Sequence, residues 1–352
     1  MSARLGVAVV GCGEIATSRH LPAIADEAGV RLIATCDADE GRALDAAGRF
    51  GAAGATADLA EVLGDPKVEA VVVATPPWVT PRVTIAALQA GKDVLCEKPM
   101  ATVLEDARAV ARAAEATGRL VQVGLTYRHS PLLAALRRWI AEGRLGRPVL
   151  ARLDLFSETW DQHGDPAHRT RMLATLASGP PSVHDGAHAA DHLHYLLDTE
   201  AVRAAAFALA SRPEFPAPNY NLAWVELANG DRAALEVGWL YPSLPATRYE
   251  LIGPAGRAWM DWAGGRAGVE SVAGDDAVDL GEGWAAACFA IQLDHFLRCV
   301  ADRSAPVPGV REGLASLGLT LAVAEALATG RPVDLAHDPS AGVRLPCVGP
   351  AG

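Results

Sequence analysis

Leu5-Gly6-Val7-Ala8-Val9-Val10-Gly11-Cys12-Gly13-Glu14-Ile15-Ala16 decides the fold. Its first half is a run of small and branched apolar residues with no polar alternation, as in a strand covered on both faces. Its second half reads Gly-x-Gly-x-x-Ala. From Ser18 to Ala28 apolar residues then recur at three-to-four-residue spacing, the mark of a helix. Strand, glycine turn and helix in that order are the setting in which this motif binds a dinucleotide. Gly11 permits the tight turn, Gly13 leaves bare backbone for a pyrophosphate, and Ala16 lets the helix pack close to the strand. The helix start, with Glu14 and Ile15, presents free N–H groups and a positive dipole end to phosphate.

The same alternation continues outward from this stretch. Arg31–Cys36, Ala70–Ala74, Val94–Cys96 and Leu120–Val123 are further apolar runs, and Glu40–Phe50, Pro81–Ala90 and Val103–Thr117 are amphipathic at helical period. Gly91 and Gly118 stand where helix C-caps need a residue tolerant of positive φ. The pattern predicts a doubly wound, parallel Rossmann sheet with right-handed crossovers. The second strand ends at Asp37, 24 residues after Gly13. A carboxylate there accepts from both adenosine ribose hydroxyls and repels a 2′-phosphate, so NAD is favoured over NADP. Asp37 also precedes a helix, so it serves equally as a turn or N-cap residue.

After Gly124 the pattern changes. A helix is expected over Pro131–Glu142, a strand over Val149–Phe156, a polar loop from Ser157 to Pro181 and a helix from Val183 to Leu197. Alternating runs fill Val202–Val272, with the clearest hairpin turning at Ala228-Asn229-Gly230-Asp231. Helices at Ala285–Ala301 and Arg311–Thr329 and a short strand at Pro332–Leu335 close the chain. The expected division is a Rossmann domain over 1–124 and, over 125–352, an α+β domain with a large, mostly antiparallel open sheet. The second domain would bind substrate and oligomerise.

With 352 residues, two cores are expected. The net charge of −11, with no basic stripe, argues against nucleic acid as a partner. Apolar runs are broken by Pro, Gly or charge, so neither a signal peptide nor a membrane span is read. Cys12, Cys36, Cys96, Cys288, Cys299 and Cys347 form no Cys-x-x-Cys pair and read as reduced thiols of a cytoplasmic protein.

Beyond Gly11–Ala16 and Asp37, the chain carries Ala74-Thr75-Pro76-Pro77, Ala90-Gly91-Lys92-Asp93-Val94-Leu95-Cys96-Glu97-Lys98-Pro99, Gly186-Ala187-His188-Ala189-Ala190-Asp191 and a closing Gly330-Arg331-Pro332-Val333. In these segments it resembles the glucose–fructose oxidoreductase/inositol dehydrogenase (Gfo/Idh/MocA) family along nearly its whole length. The resemblance implies an NAD-dependent dehydrogenase acting on the carbinol of a sugar, polyol or related small molecule. It implies that Lys98 points at the nicotinamide and the substrate hydroxyl. A carboxyl-end position on a parallel strand suits that role. Pro99 is placed to follow a cis peptide. Thr75, Pro76 and Pro77 would form a rigid loop beside the nicotinamide ribose, Trp78 would cover the ring or pack between domains, and Glu97 would join the cofactor site.

The resemblance also makes His188 the acid/base partner. His184, His188 and His192 are spaced one helical turn apart. Three such residues span too much helix to share one ion, so no metal is assigned. The family usually has Asp four residues before the His. Here His184 stands in that place, with Asp185 beside it, so His184 is set to assist catalysis or bind substrate and Asp185 to meet substrate or orient a histidine. Where many relatives carry a His after the Thr-Pro-Pro loop, this chain has Thr80. Tyr127 and Trp160 are assigned to substrate, and Arg128 to structural hydrogen bonds. Two other outcomes stay open on the same fold: a redox-neutral, NAD-dependent glycosidase, and an NAD-sensing regulator without catalysis. The apolar residues of the open sheet, among them Trp224 and Trp239, predict a homodimer or homotetramer.

Overall fold

The computed structural model describes residues 4–158, 166–239 and 247–347. The first compact unit runs to Thr126 and is joined by Ala285–Gly313. Its strands are β1 (Leu5–Val10), β2 (Val30–Cys36), β3 (Gly54–Thr56), β4 (Ala70–Val73), β5 (Asp93–Glu97) and β6 (Val121–Gly124). All pair in parallel, in the order β3-β2-β1-β4-β5-β6. The reversal of direction beside β1 is the switch point at which open α/β sheets take ligands. A π turn (Ala16–His20) leads into α1 (Leu21–Asp26), followed by α2 (Glu40–Phe50), α3 (Leu59–Gly64), α4 (Thr80–Gln89) and α5 (Leu104–Thr117). The short β3 and α3 were not expected. They carry too few residues to show a period.

The other unit comprises Tyr127–Trp284 and the chain from Leu314 on. Its elements in order are α6 (Pro131–Ala141), β7 (Leu150–Glu158), α7 (Pro166–Ala177), α8 (Pro181–His184), α9 (Gly186–Leu197), β8 (Ala201–Leu209), β9 (Tyr220–Leu227), β10 (Arg232–Trp239), β11 (Arg248–Gly253), β12 (Gly256–Asp261), β13 (Arg266–Ser271) and β14 (Gly274–Asp279). Two helices, α10 (Trp284–Asp302) and α11 (Val310–Thr329), precede β15 (Val333–Asp338) and β16 (Val343–Pro346). The ten-stranded sheet runs β14-β13-β12-β11-β7-β10-β9-β8-β15-β16, antiparallel except for β7 beside β10. One face buries Leu153, Ala223, Val225, Leu235, Val237, Tyr249 and Leu251, and α9 packs across β7 and β10.

Four expectations change. Residues 285–313 belong with the first unit, not the second. Pro166–Ala177, expected within a polar loop, is the helix α7, in which Met172 and Leu176 bury against Phe215 and Trp239. The helix expected from Val183 is two, meeting at Asp185. α11 is long and apolar enough to cross a bilayer, contrary to the expectation. More than half of its most apolar window is buried in protein, as a core helix requires.

Candidate active site

β1 is followed by Gly11, whose φ of 92° alone would strain any other residue. A Cβ there would also fall 2.5 Å from the Ala74 carbonyl oxygen and 2.9 Å from the Thr75 amide nitrogen. The first glycine thus lets two loops touch. Gly13 differs: a Cβ built on it meets nothing within 4 Å. Open space at this backbone is what a pyrophosphate needs, so the turn fits a dinucleotide. Thr17 closes the turn through Oγ1 onto the Gly13 carbonyl at 3.1 Å, and Glu14 and Ile15 lie on its outer side.

Asp37 lies just past β2. Its Oδ2 accepts from the Cys12 amide at 2.8 Å and its Oδ1 from the Asp39 amide at 2.9 Å. The carboxylate is therefore oriented before any ribose arrives, with lone pairs to spare. The N-cap of α2 is Asp39, whose side chain accepts from Gly41 and Arg42 amides, so capping does not fall to Asp37. Arg42 pairs with Asp39 at 3.4 Å.

Thr75, Pro76 and Pro77 are pinned to α4. Thr80 Oγ1, almost fully buried, donates to the Thr75 or Pro76 carbonyl, at 3.0 and 3.2 Å, and lies 3.0 Å from the Thr75 hydroxyl. Thr80 is thereby a loop anchor. Trp78 is half exposed. Glu97, the last residue of β5, is buried, and the half-buried Lys98 follows it with a cis bond to Pro99.

In the second unit α9 is held from several directions. Arg128 reaches both oxygens of the buried Asp191, Nε at 3.1 Å from each and Nη2 at 2.5 Å from Oδ1. Ser316 donates to the Ala187 carbonyl at 2.7 Å. His192 Nδ1 and the Tyr249 hydroxyl lie 2.7 Å apart. Burial without a compensating charge pushes His192 down to about 3 and keeps it neutral, and Arg128 adds to this. Burial raises the Tyr249 hydroxyl in turn.

His188 stacks on His192 with ring centroids 5.8 Å apart and meets Tyr127 at 4.8 Å. Tyr127 in turn packs edge-on against Trp262 at 4.7 Å, and Trp262 meets Trp284 at 4.8 Å. Trp262, Trp284 and Tyr249 were missed by sequence reasoning. They sit on β11, in the turn after β12 and at the start of α10, with no spacing that links them to His188.

His184 is placed apart from this group's bonds. Its Nε2 lies 3.1 Å from the Thr175 carbonyl and 3.2 Å from Ser178 Oγ, and its ring stacks on Trp239. Asp185 Oδ2 accepts from the Trp239 indole at 2.6 Å. Trp160 lies outside the described residues. Among the described residues no group of three or more His, Cys, Asp or Glu side chains is set to hold a metal ion.

Known proteins share this succession of two domains along the chain. Residues 5–125 match the profile of an oxidoreductase family with an NAD-binding Rossmann fold, and 133–259 match the C-terminal domain of the same family. Inositol 2-dehydrogenase 1 of Saccharopolyspora erythraea is 29% identical over 347 residues, covering 95% of this chain and 97% of that protein. Inositol 2-dehydrogenase 2 of the same organism is 31% identical over 268 residues, 72% of each. The solved structure of a levoglucosan dehydrogenase with NADH and levoglucosan superposes with a TM-score of 0.85 at 22% identity, covering 94% of this chain and 99% of that one.

Proposed function

Because the chain belongs to the Gfo/Idh/MocA oxidoreductase family, we propose that it oxidises a secondary carbinol of a cyclic polyol or sugar, with Lys98 and His188 handling the hydroxyl proton. It is an NAD-dependent oxidoreductase acting on CH–OH groups. Asp37 carries the reading of cofactor: its carboxylate is aligned in advance by two backbone amides beside the bare backbone of Gly13.

Bound NAD supplies the hydride acceptor. Gly11, Gly13, Glu14 and Ile15 would hold the pyrophosphate, and Asp37 the adenosine ribose. Thr75, Pro76, Pro77, Trp78 and Glu97 would frame the nicotinamide half. The Lys98 ammonium orients the substrate hydroxyl by hydrogen bonding. The His188 imidazole accepts its proton. Tyr127 and Trp160 are assigned to the substrate, Tyr127 with an aromatic face suited to the C–H side of a sugar ring. Asp185 is assigned to aiming α9 through Trp239, and His184 to holding α7 on that same indole. Both act at one remove from the reacting carbon.

Purified protein offered NAD with myo-inositol, scyllo-inositol and levoglucosan is expected to produce NADH from at least one. Lys98→Met should cut kcat roughly 10²–10⁴-fold with NAD affinity retained. Undiminished turnover in that variant would show the assignment wrong.

A second copy of the chain is the partner proposed for the open sheet face. Phe207, 75% exposed, pairs across strands with Leu222, and the neighbouring rung sets Trp224 between Ala205 and Ala234. An apolar surface of this kind is ordinarily covered. The free thiols support a reducing, cytoplasmic setting.

A further inference from the structure

His20 has no part in the function derived so far, yet it is 4% exposed and its ring meets Glu97, itself 8% exposed. Nε2 donates to Glu97 Oε1 at 2.6 Å, across 77 residues of sequence. The other carboxylate oxygen, Oε2, accepts from the backbone N–H of Lys98 at 3.0 Å. Phe289 closes the edge of the imidazole with centroids 5.3 Å apart.

Two local features accommodate this bridge. Over Ala16–His20 the helix widens to a π turn, with the Leu21 amide bonded to the Ala16 carbonyl. A π turn inserts one residue into the helical repeat and so re-aims the side chains that follow, a device found at functional sites. Gly124 lies opposite Glu97 on β6, and a Cβ there would stand 3.1 Å from Glu97 Cα and 3.2 Å from its carboxyl carbon. The missing side chain leaves the carboxylate its place.

A buried carboxylate held by two donors is rigid, and removal of one donor leaves charge uncompensated. We propose that His20 is a positioning residue: through Glu97 it fixes the backbone at Lys98, and so ties the helix that follows the dinucleotide turn to the lysine that meets substrate. The proposal rests on Lys98 being the proton-handling lysine.

Amide hydrogen exchange in the cofactor-free protein tests it, read on a peptide spanning Leu95–Met100, with turnover of myo-inositol by NAD measured in parallel. In His20→Leu the Lys98 amide should exchange at least about tenfold faster. kcat should fall about 10- to 100-fold, with KM for NAD within about twofold, since only placement is lost. His20→Gln puts an amide nitrogen near the place of Nε2 and should bring both readings back to within about threefold of the parent. Gly124→Ala crowds Glu97 from the opposite side and should give the same split without touching His20. If His20→Leu does not fold, His20→Asn, polar but too short to reach Glu97, takes its place. Unchanged exchange at Lys98, or equal loss of kcat and NAD affinity in all variants, overturns the proposal. If the parent protein does not turn over myo-inositol, the exchange measurement still decides the role of His20, and only the substrate reading fails.

Discussion

His192 and the buried cysteines show how burial, more than the local sequence, sets the chemistry of single residues here. His192 titrates near 3 in the fold and near 6.5 when unfolded. Its contribution to stability is complete above pH 6.5 and is lost as pH falls toward 3, because only the unfolded chain takes up the proton. Stability should therefore decline by up to about 1.4 kcal/mol per pH unit from this one group. His192→Asn, which cannot protonate, should flatten the melting temperature against pH between about 6 and 4. Cys12, Cys36 and Cys96 are pushed up to about 12, 11 and 12, chiefly by burial, whereas Cys347 is exposed. A thiol reagent at pH 8 should titrate one fast equivalent in the native protein, and Cys347→Ser should remove it. Legibility at this scale depended on distance along the chain. Asp37 was readable because a strand end fixes where its side chain stands. His20 was not, because its partner is 77 residues away and no periodicity joins them.

Among the elements, the β1 turn was the most legible, and its two glycines should fail differently. Gly11→Ala combines a left-handed φ with contact against Ala74, and should cost on the order of 3 kcal/mol, visible as a lower melting temperature without any ligand. Gly13→Ala meets open space, so it should melt like the parent yet lose at least about tenfold in NAD affinity by calorimetry, about 1.4 kcal/mol. Equal melting behaviour in the two variants would refute this division. The helix α7 was hidden by its composition: His, Arg and Thr are interspersed with alanine, and only Met172, Leu173 and Leu176 show which side is buried. The break at Asp185 was hidden for the opposite reason. His184, His188 and His192 keep helical spacing, but the spacing does not reveal that His184 turns to Thr175 and Trp239.

Across the whole molecule, the class of each half was legible, because buried parallel strands and half-exposed antiparallel ones differ in period. The return of residues 285–313 to the first unit was not, since an apolar helix does not say which core it joins. Leu293 and Phe296 complete the cluster formed by Val7, Val9, Leu21, Leu32 and Leu95, and Arg303 pairs with the buried Asp93 at 2.6 Å. Phe296→Ala should cost about 3–5 kcal/mol, measured by urea unfolding. On the open sheet, Phe207→Glu with Trp224→Glu should halve the mass seen by light scattering while the circular dichroism spectrum is retained.

The interrupted first unit has a consequence for biosynthesis. The ribosome delivers β1 to β6 early, but the helix that covers them only after the intervening segment has emerged. Until then the nascent Rossmann sheet displays the apolar patch that Leu293 and Phe296 will occupy, so its maturation waits on the arrival of α10. Translation stalled just past Thr126 should hold a chaperone client, and release past Gly313 should set it free.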